Sequence, residues 1–536
     1  MMIPTPISSL PICSRLSKGK IAFLTGTLLL TSTGFLCRIL GFFYRIYMSR
    51  TIGAEGLGLY NMVHPIFSIC FAICAGSIQT ALSQYVASHQ EQGNSIFRTG
   101  LAIFLPVSLL LAWAISQSSG FLAEHFLMEP RCAPYLPVIA LSVPFAALHS
   151  CINGYYYGMQ NARIPAFSQV AEQMIRMGSV FLIAHIWTET GRPITVSLAV
   201  FGHLIGEMAS AAYTLFCLGF FPPLYREKQA LNKKIAPKPS HPFPRFKGSY
   251  TFFAPLMTLS LPLMANRLVL NLLATAEAVW IPNRLTAYGL TNSQALSVYG
   301  VLTSMALPFI LFPSAITNSI AVLLLPTVAK AQADGNHRRI SSMISMSLRY
   351  SCYMGILCIG IFTLFGKELG NSVFHDPRAG LYITVLSWLC PFLYLSTTMG
   401  SILNGLGKTS VTFFQNVSAM LIRLGFVLFA VPDWGIRGVL WGMLASELIL
   451  ALMSFHSVKK WVPFSWNTGS MILKPTAILL LTTGIHLTFS HLFPLSFISS
   501  FFLETAIRIL FFCLFYCGFL LLFHRPMADK TMAGPQ

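Results

Sequence analysis

The chain has 536 residues, of which 55% are hydrophobic and 10% charged, and its mean hydropathy is +0.67. A soluble domain carries about a quarter charged residues, so this composition excludes one. The formal charge of +19 sits between apolar stretches rather than in a basic domain, which excludes nucleic acid as the partner.

Apolar stretches of bilayer-spanning length run at 21–49, 59–87, 97–119, 134–158, 165–188, 194–221, 252–281, 295–329, 340–366, 379–405, 410–431, 436–458, 471–492 and 497–524. A span needs about 20 residues, so the pattern predicts an all-α polytopic membrane protein of about fourteen transmembrane helices. The first stretch follows a basic start but has no small-x-small cleavage site before Arg38, so it reads as a retained helix and not a removed signal.

That first helix carries two arginines. At 100° per residue Gly34, Arg38, Gly41 and Arg45 share one narrow stripe. An arginine at a helix centre costs roughly 2.5–3.5 kcal/mol on insertion scales, so the stripe faces a cavity and not lipid. A guanidinium fork there suits a phosphate. In the fifth span Glu172 and Arg176 are four residues apart and neutralise one another on one helix face. The sixth span holds Glu207 with His203, and the seventh holds Asn266, Arg267, Asn271 and Glu277. Arg267 stands in the second half where Arg38 stands in the first, and Arg38, Arg45, Arg267 and Asn271 are the candidate substrate-binding residues. Arg423, in the eleventh span, has no acid within a helical turn and needs a partner across the bundle or a snorkelling position. Glu207, Glu277 and Glu447 are candidate proton or cation sites.

The chain repeats itself. Gly158 to Gly178 aligns without gaps on Gly405 to Gly425 at an offset of 247, bringing Arg176 onto Arg423 and Gln169 onto Asn416. Ser77-Ile78, Val86-Ala87, Gln90 and Gly93-Asn94 align on Ser319-Ile320, Val328-Ala329, Gln332 and Gly335-Asn336 at 242. Each half then holds six helices, and an even number returns the chain to its starting side, so the halves are parallel bundles with a cavity between them. The expected division is an N-terminal six-helix bundle at 1–221, a basic linker at 222–250, a C-terminal six-helix bundle at 251–460 and two extra helices with a tail at 461–536. Lys and Arg crowd the linker and every second loop, which places both termini and the linker in the cytoplasm.

The twelve cysteines form no CxxC, and the thirteen histidines show no metal-ligand spacing. We expect no metal and no cofactor.

The run Thr33-Gly-Phe-Leu-Cys-Arg-Ile-Leu-Gly-Phe-Phe-Tyr-Arg-Ile46, followed by Ile52-Gly-Ala-Glu-Gly-Leu-Gly-Leu-Tyr60, resembles the opening of the stage V sporulation protein B and polysaccharide-biosynthesis membrane protein family. That family lies in the multidrug, oligosaccharidyl-lipid and polysaccharide flippase superfamily, with the lipid II flippases. The resemblance implies a flippase that carries a polyprenyl-pyrophosphate-linked saccharide, peptidoglycan precursor lipid II and spore cortex being the implied case, across the plasma membrane by alternating access. It implies membrane lipids and cell-wall synthesis proteins as partners. It places Arg38 on the cavity arginine of the R-x-L-G-F motif. Arg45 follows by seven residues where those flippases space theirs by six. A multidrug cation antiporter of the same fold would want an acid on the first helix, which has none. A non-transporting scaffold leaves the embedded arginines without a task. An enzyme would need a placed carboxylate at a substrate face, and the loops offer only scattered acids. The expectation is therefore a transporter and not an enzyme.

Overall fold

The computed structural model describes residues 18–223, 252–492 and 501–523. The basic linker therefore lies outside the described residues from 224 to 250. Helix α1 is Lys18–Thr51. There follow α2 (Gly53–Ser88), α3 (Gln90–Gln117) and α4 (Pro130–Gly158), α5 (Arg163–Glu189), α6 (Ser197–Phe220) and α7 (Phe253–Ala287). Then comes α8 (Asn292–Leu311), which resumes after Pro313 as Ser314–Ala333. The chain continues with α9 (His337–Phe374), α10 (Pro377–Gly405), α11 (Thr409–Phe429) and α12 (Ile436–Trp461), and then α13 (Gly469–Thr488) and α14 (Phe502–Leu522). Among the described residues 13 helices are long and apolar enough to cross a membrane. The helix outside that number is α5, because Gln169, Glu172, Gln173 and Arg176 lower its hydropathy.

The chain divides into two compact units, Met1–Ile52 with Leu59–Val279 and Gly53–Gly58 with Trp280–Gln536. In the first unit the C-terminal part of α2 packs on α3 and α4, α3 on α4, α4 on α6 and α5 on α6. In the second unit the continuation of α8 packs on α9 and α10, α9 on α10, α10 on α12 and α11 on α12. The same five pairings recur in the same order. In the first unit α1 also lies along α5, and in the second α13 and α14 pack on each other and on α9. Tyr353 of α9 donates to the Ser470 carbonyl at 3.2 Å, and Tyr516 of α14 donates to the Tyr353 carbonyl at 3.3 Å, tying this extra pair to its bundle.

Backbone details repeat with the helices. Before α4 the Glu129 carboxylate accepts from the Arg131 amide and from its Nε at 2.7 Å. Before α10 Asp376 does the same for Arg378, at 2.9 Å to the amide and 3.1 Å to Nε. The preceding residues, Met128 and His375, are both left-handed at φ 54° and 56°. Gln160 and Gly407 after α4 and α10 are left-handed too, at 60° and 75°. Every one of these pairs is 247 residues apart, so the duplication read from one segment extends through the corners.

Candidate functional site

Arg38 and Arg45 occupy the middle and the end of α1. The spanning part of α1, Leu29–Thr51, is 6% buried, and that of α7, which carries Arg267, is 11% buried, the two lowest values among the candidate spans. Arg38 is exposed along α1 and makes no hydrogen bond or ion pair among the described residues. Gly41 on the same stripe leaves a notch 3.5 Å from the Gln173 amide nitrogen of α5. Arg45 is less free, since its charge faces the phenols of Tyr44 and Tyr60.

Arg267 is held by α2. Its Nη2 donates to Thr80 Oγ1 at 3.3 Å. A Cβ on Gly76 would lie 2.1 Å from its Nη1, so a side chain there would push the guanidinium aside. Gly76 closes a π-helical turn at Ala72–Gly76, a widened turn of the sort that often marks functional segments. One turn along α7, the Asn271 amide donates to the Ser68 carbonyl at 3.0 Å, which spends a donor the sequence reading assigned to substrate. These two bonds tie α7 to α2 within the first compact unit, to which α7 belongs as far as Val279. Glu277 is buried.

A buried polar group lies where α4, α5 and α6 meet. Glu172 and Arg176 are ion-paired across one turn of α5. Arg176 also reaches Glu207 of α6 at 3.8 Å, and the other oxygen of Glu207 meets His149 Nε2 of α4 at 2.8 Å. His149, Glu172 and Glu207 bring one ligand atom each within 4.8 Å of one another, with the Arg176 guanidinium beside both carboxylates. The partner expected for Glu207 was His203. Instead His203 stacks edge-on to Phe67 at 4.4 Å and His64 at 5.6 Å, and neither of its ring nitrogens finds a hydrogen bond. Sequence reading missed His149. Its signal was a histidine within the apolar run of α4, and nothing in that run alone names a partner 58 residues away.

The second unit holds a reduced version. Arg423 of α11 lies within electrostatic reach of Glu447 of α12, so it does find its acid across the bundle, and Ser396 of α10 donates to Glu447 at 3.2 Å. Ser396, Ala419 and Arg423 stand 247 residues after His149, Glu172 and Arg176. Glu447 stands 240 after Glu207, as Gly442 does after Gly202. Each of those glycines admits its neighbour, since a Cβ would lie 2.2 Å from Val180 or 2.7 Å from Phe426.

Solved structures carry this fold. The structure titled lipid II flippase MurJ, inward closed conformation, aligns with a TM-score of 0.68 at 16% identity over 93% of this chain and 99% of that one. An inward-facing multidrug resistance MATE family transporter of the MOP superfamily aligns at 0.62 and 12% identity over 81% and 98%. The fold is therefore that of this class of membrane transporters. The chain belongs to the polysaccharide biosynthesis protein family, whose sequence profile matches residues 23–332. Stage V sporulation protein B of Bacillus subtilis (strain 168) is 27% identical over 83% of this chain and 85% of that protein. Lipid II flippase MurJ of the same organism is 22% identical over 86% of each.

Proposed function

We propose that this protein moves a polyprenyl-diphosphate-linked saccharide, of the peptidoglycan-precursor class, from the cytoplasmic to the outer leaflet of the plasma membrane by alternating access. The observation that carries this reading is Arg38, a guanidinium at the middle of a membrane span with no protein partner among the described residues. A guanidinium held open on a membrane span is placed for an anion to visit it, and a diphosphate offers the bidentate acceptor that guanidinium fits. Arg267, positioned by Gly76 and Thr80, is the second anion ligand, with Arg45 and Asn271 at the margins. The likeness to a sporulation protein and to a lipid II flippase supports a lipid-linked glycan as the cargo. The division into bundles at 1–221 and 251–460, the linker at 222–250 and the extra helices from 461 belongs to the same reading, with both termini and the linker cytoplasmic.

The test is leaflet sidedness of labelled lipid II in cells depleted of the protein and complemented with variants. Arg38→Ala should abolish translocation with normal membrane insertion, and Arg38→Lys should restore it in part, because an ammonium keeps the charge and loses the fork. Wild-type activity in both Arg38→Ala and Arg267→Ala would refute the anion site.

A further inference from the structure

The quartet of His149, Glu172, Arg176 and Glu207 has a charge balance that its counterpart does not share. In the second unit one carboxylate, Glu447, faces one guanidinium, Arg423, and the sum is zero. In the first unit two carboxylates face one guanidinium, and the sum is minus one unless the fourth member, His149, carries a proton. An uncompensated charge in a membrane interior is costly. The neutral state therefore holds one proton on the 2.8 Å bridge between His149 Nε2 and Glu207 Oε2.

Other charged or titratable groups among the described residues stand around the bridge. Glu172 and Arg176 come from α5, His203 from α6, Tyr60 and His64 from α2, and Cys37, Tyr44 and Arg45 from α1. Arg45 faces the two phenols and not the carboxylates. His203 is 3% exposed and has both ring nitrogens unpaired, four residues before Glu207. A buried, unsatisfied imidazole beside the bridge is a ready acceptor and donor for a proton passing to it.

We propose that the His149–Glu207 bridge is an exchangeable proton site that couples proton binding to binding of the anionic cargo. Arg176 takes the place a metal ion would occupy between the carboxylates, so the occupant is a proton and not sodium. When the bridge is protonated the quartet is neutral. Loss of the proton to water leaves minus one beside α5, against which α1 lies with Arg38. A diphosphate on Arg38 is repelled by the second state and not by the first. Cargo binding then takes up a proton, and by reciprocity protonation strengthens cargo binding. This inference rests on the anion-site reading for its coupling but not for the proton site itself.

The experiment uses the full-length protein in detergent. Binding of undecaprenyl diphosphate is measured between about pH 5 and pH 9, with sodium or choline as the cation at fixed ionic strength, the window being that of a perturbed imidazole. For the wild type, affinity should fall by up to about tenfold per pH unit where the bridge titrates. His149→Ser with Glu172→Ala, which copies Ser396 and Ala419 of the second unit, should retain only the slope due to the ligand's own ionisation. Glu207→Gln should do likewise and serves if the double variant does not fold. Equal slopes in wild type and both variants would overturn the proposal, and so would a sodium dependence that replaces the pH dependence. A ligand-free arm separates this result from failure of the cargo reading. Hydrogen exchange in α4, α5 and α6, corrected for intrinsic rates, should loosen with rising pH in the wild type and not in the variants. Absence of lipid binding with that signature present would reject the cargo and retain the proton site. A pH-independent pattern in all three proteins would reject the proton site.

Discussion

The meeting point of α4, α5 and α6 and that of α10, α11 and α12 descend from one pattern and have been finished differently. Both set an arginine of the penultimate helix of the bundle against a glutamate of the last, and both bring a polar residue of the fourth helix onto that glutamate. One site has an imidazole and a second carboxylate where the other has a hydroxyl and a methyl group. A serine can only satisfy a carboxylate, whereas a histidine can also change its charge. The duplicated scaffold thus supplies position twice, and titratable chemistry was placed in one copy.

The largest expected effect separates the two sites by truncation. Arg176→Ala leaves half-buried Glu172 without its counter-charge and buried Glu207 with His149 alone, and should cost about 3–5 kcal/mol, the usual penalty for orphaning buried charge. Arg423→Ala orphans Glu447 alone and should cost less. Thermal unfolding of both variants in one detergent checks this, and equal losses would break the distinction between a crowded and a reduced site.

Next come the glycines that let the last helix of each bundle approach its neighbour. Gly202→Ala and Gly442→Ala each force overpacking, expected to cost about 1–3 kcal/mol. The loss should be greater at Gly202, where the added carbon would stand 2.2 Å from stiff, β-branched Val180, than at Gly442, 2.7 Å from Phe426. The reverse order would show that backbone relaxation, and not the local approach, sets the cost.

The smallest effect concerns the corners. Removing either capping carboxylate, Glu129→Ala or Asp376→Ala, should cost about 1 kcal/mol. Burial pushes the Asp376 carboxyl up, but its hydrogen bonds from Arg378 prevail and hold it below the usual value. A depressed carboxyl stabilises the fold above its unfolded pKa and loses that contribution as the pH falls through the folded value. Acid titration of unfolding should therefore lose part of its slope in Asp376→Ala. An unchanged slope would remove Asp376 from the acid response.

Much of this architecture was legible because membrane helices announce themselves by apolar length, and because a repeat at a fixed offset shows in the sequence wherever identities survive, as at Arg176 and Arg423. The corners at Glu129 and Asp376 share only a proline and an arginine with a change of acid, too little to notice before their backbones were seen to match. The pairing of Glu172 with Arg176 follows from helical spacing alone. That of His149 with Glu207 does not, because it depends on which faces α4 and α6 turn to one another. Asn271 looked like a cavity residue for the same reason, since a sequence cannot say that the Ser68 carbonyl stands within its reach.

The slight burial of α1 bears on what the surrounding bilayer can do. The helix has 34 residues, or roughly 51 Å at about 1.5 Å per residue, against a hydrocarbon thickness of about 30 Å. Lipid gives no hydrophobic push to hold one helix against another, so packing area is what resists displacement, and α1 makes its extensive packing with α5. A long rod with one support accommodates a change of membrane thickness by leaning. Acyl-chain length thereby becomes a handle on the inclination of the segment that carries Arg38, set by the cell's lipid composition and independent of any ligand.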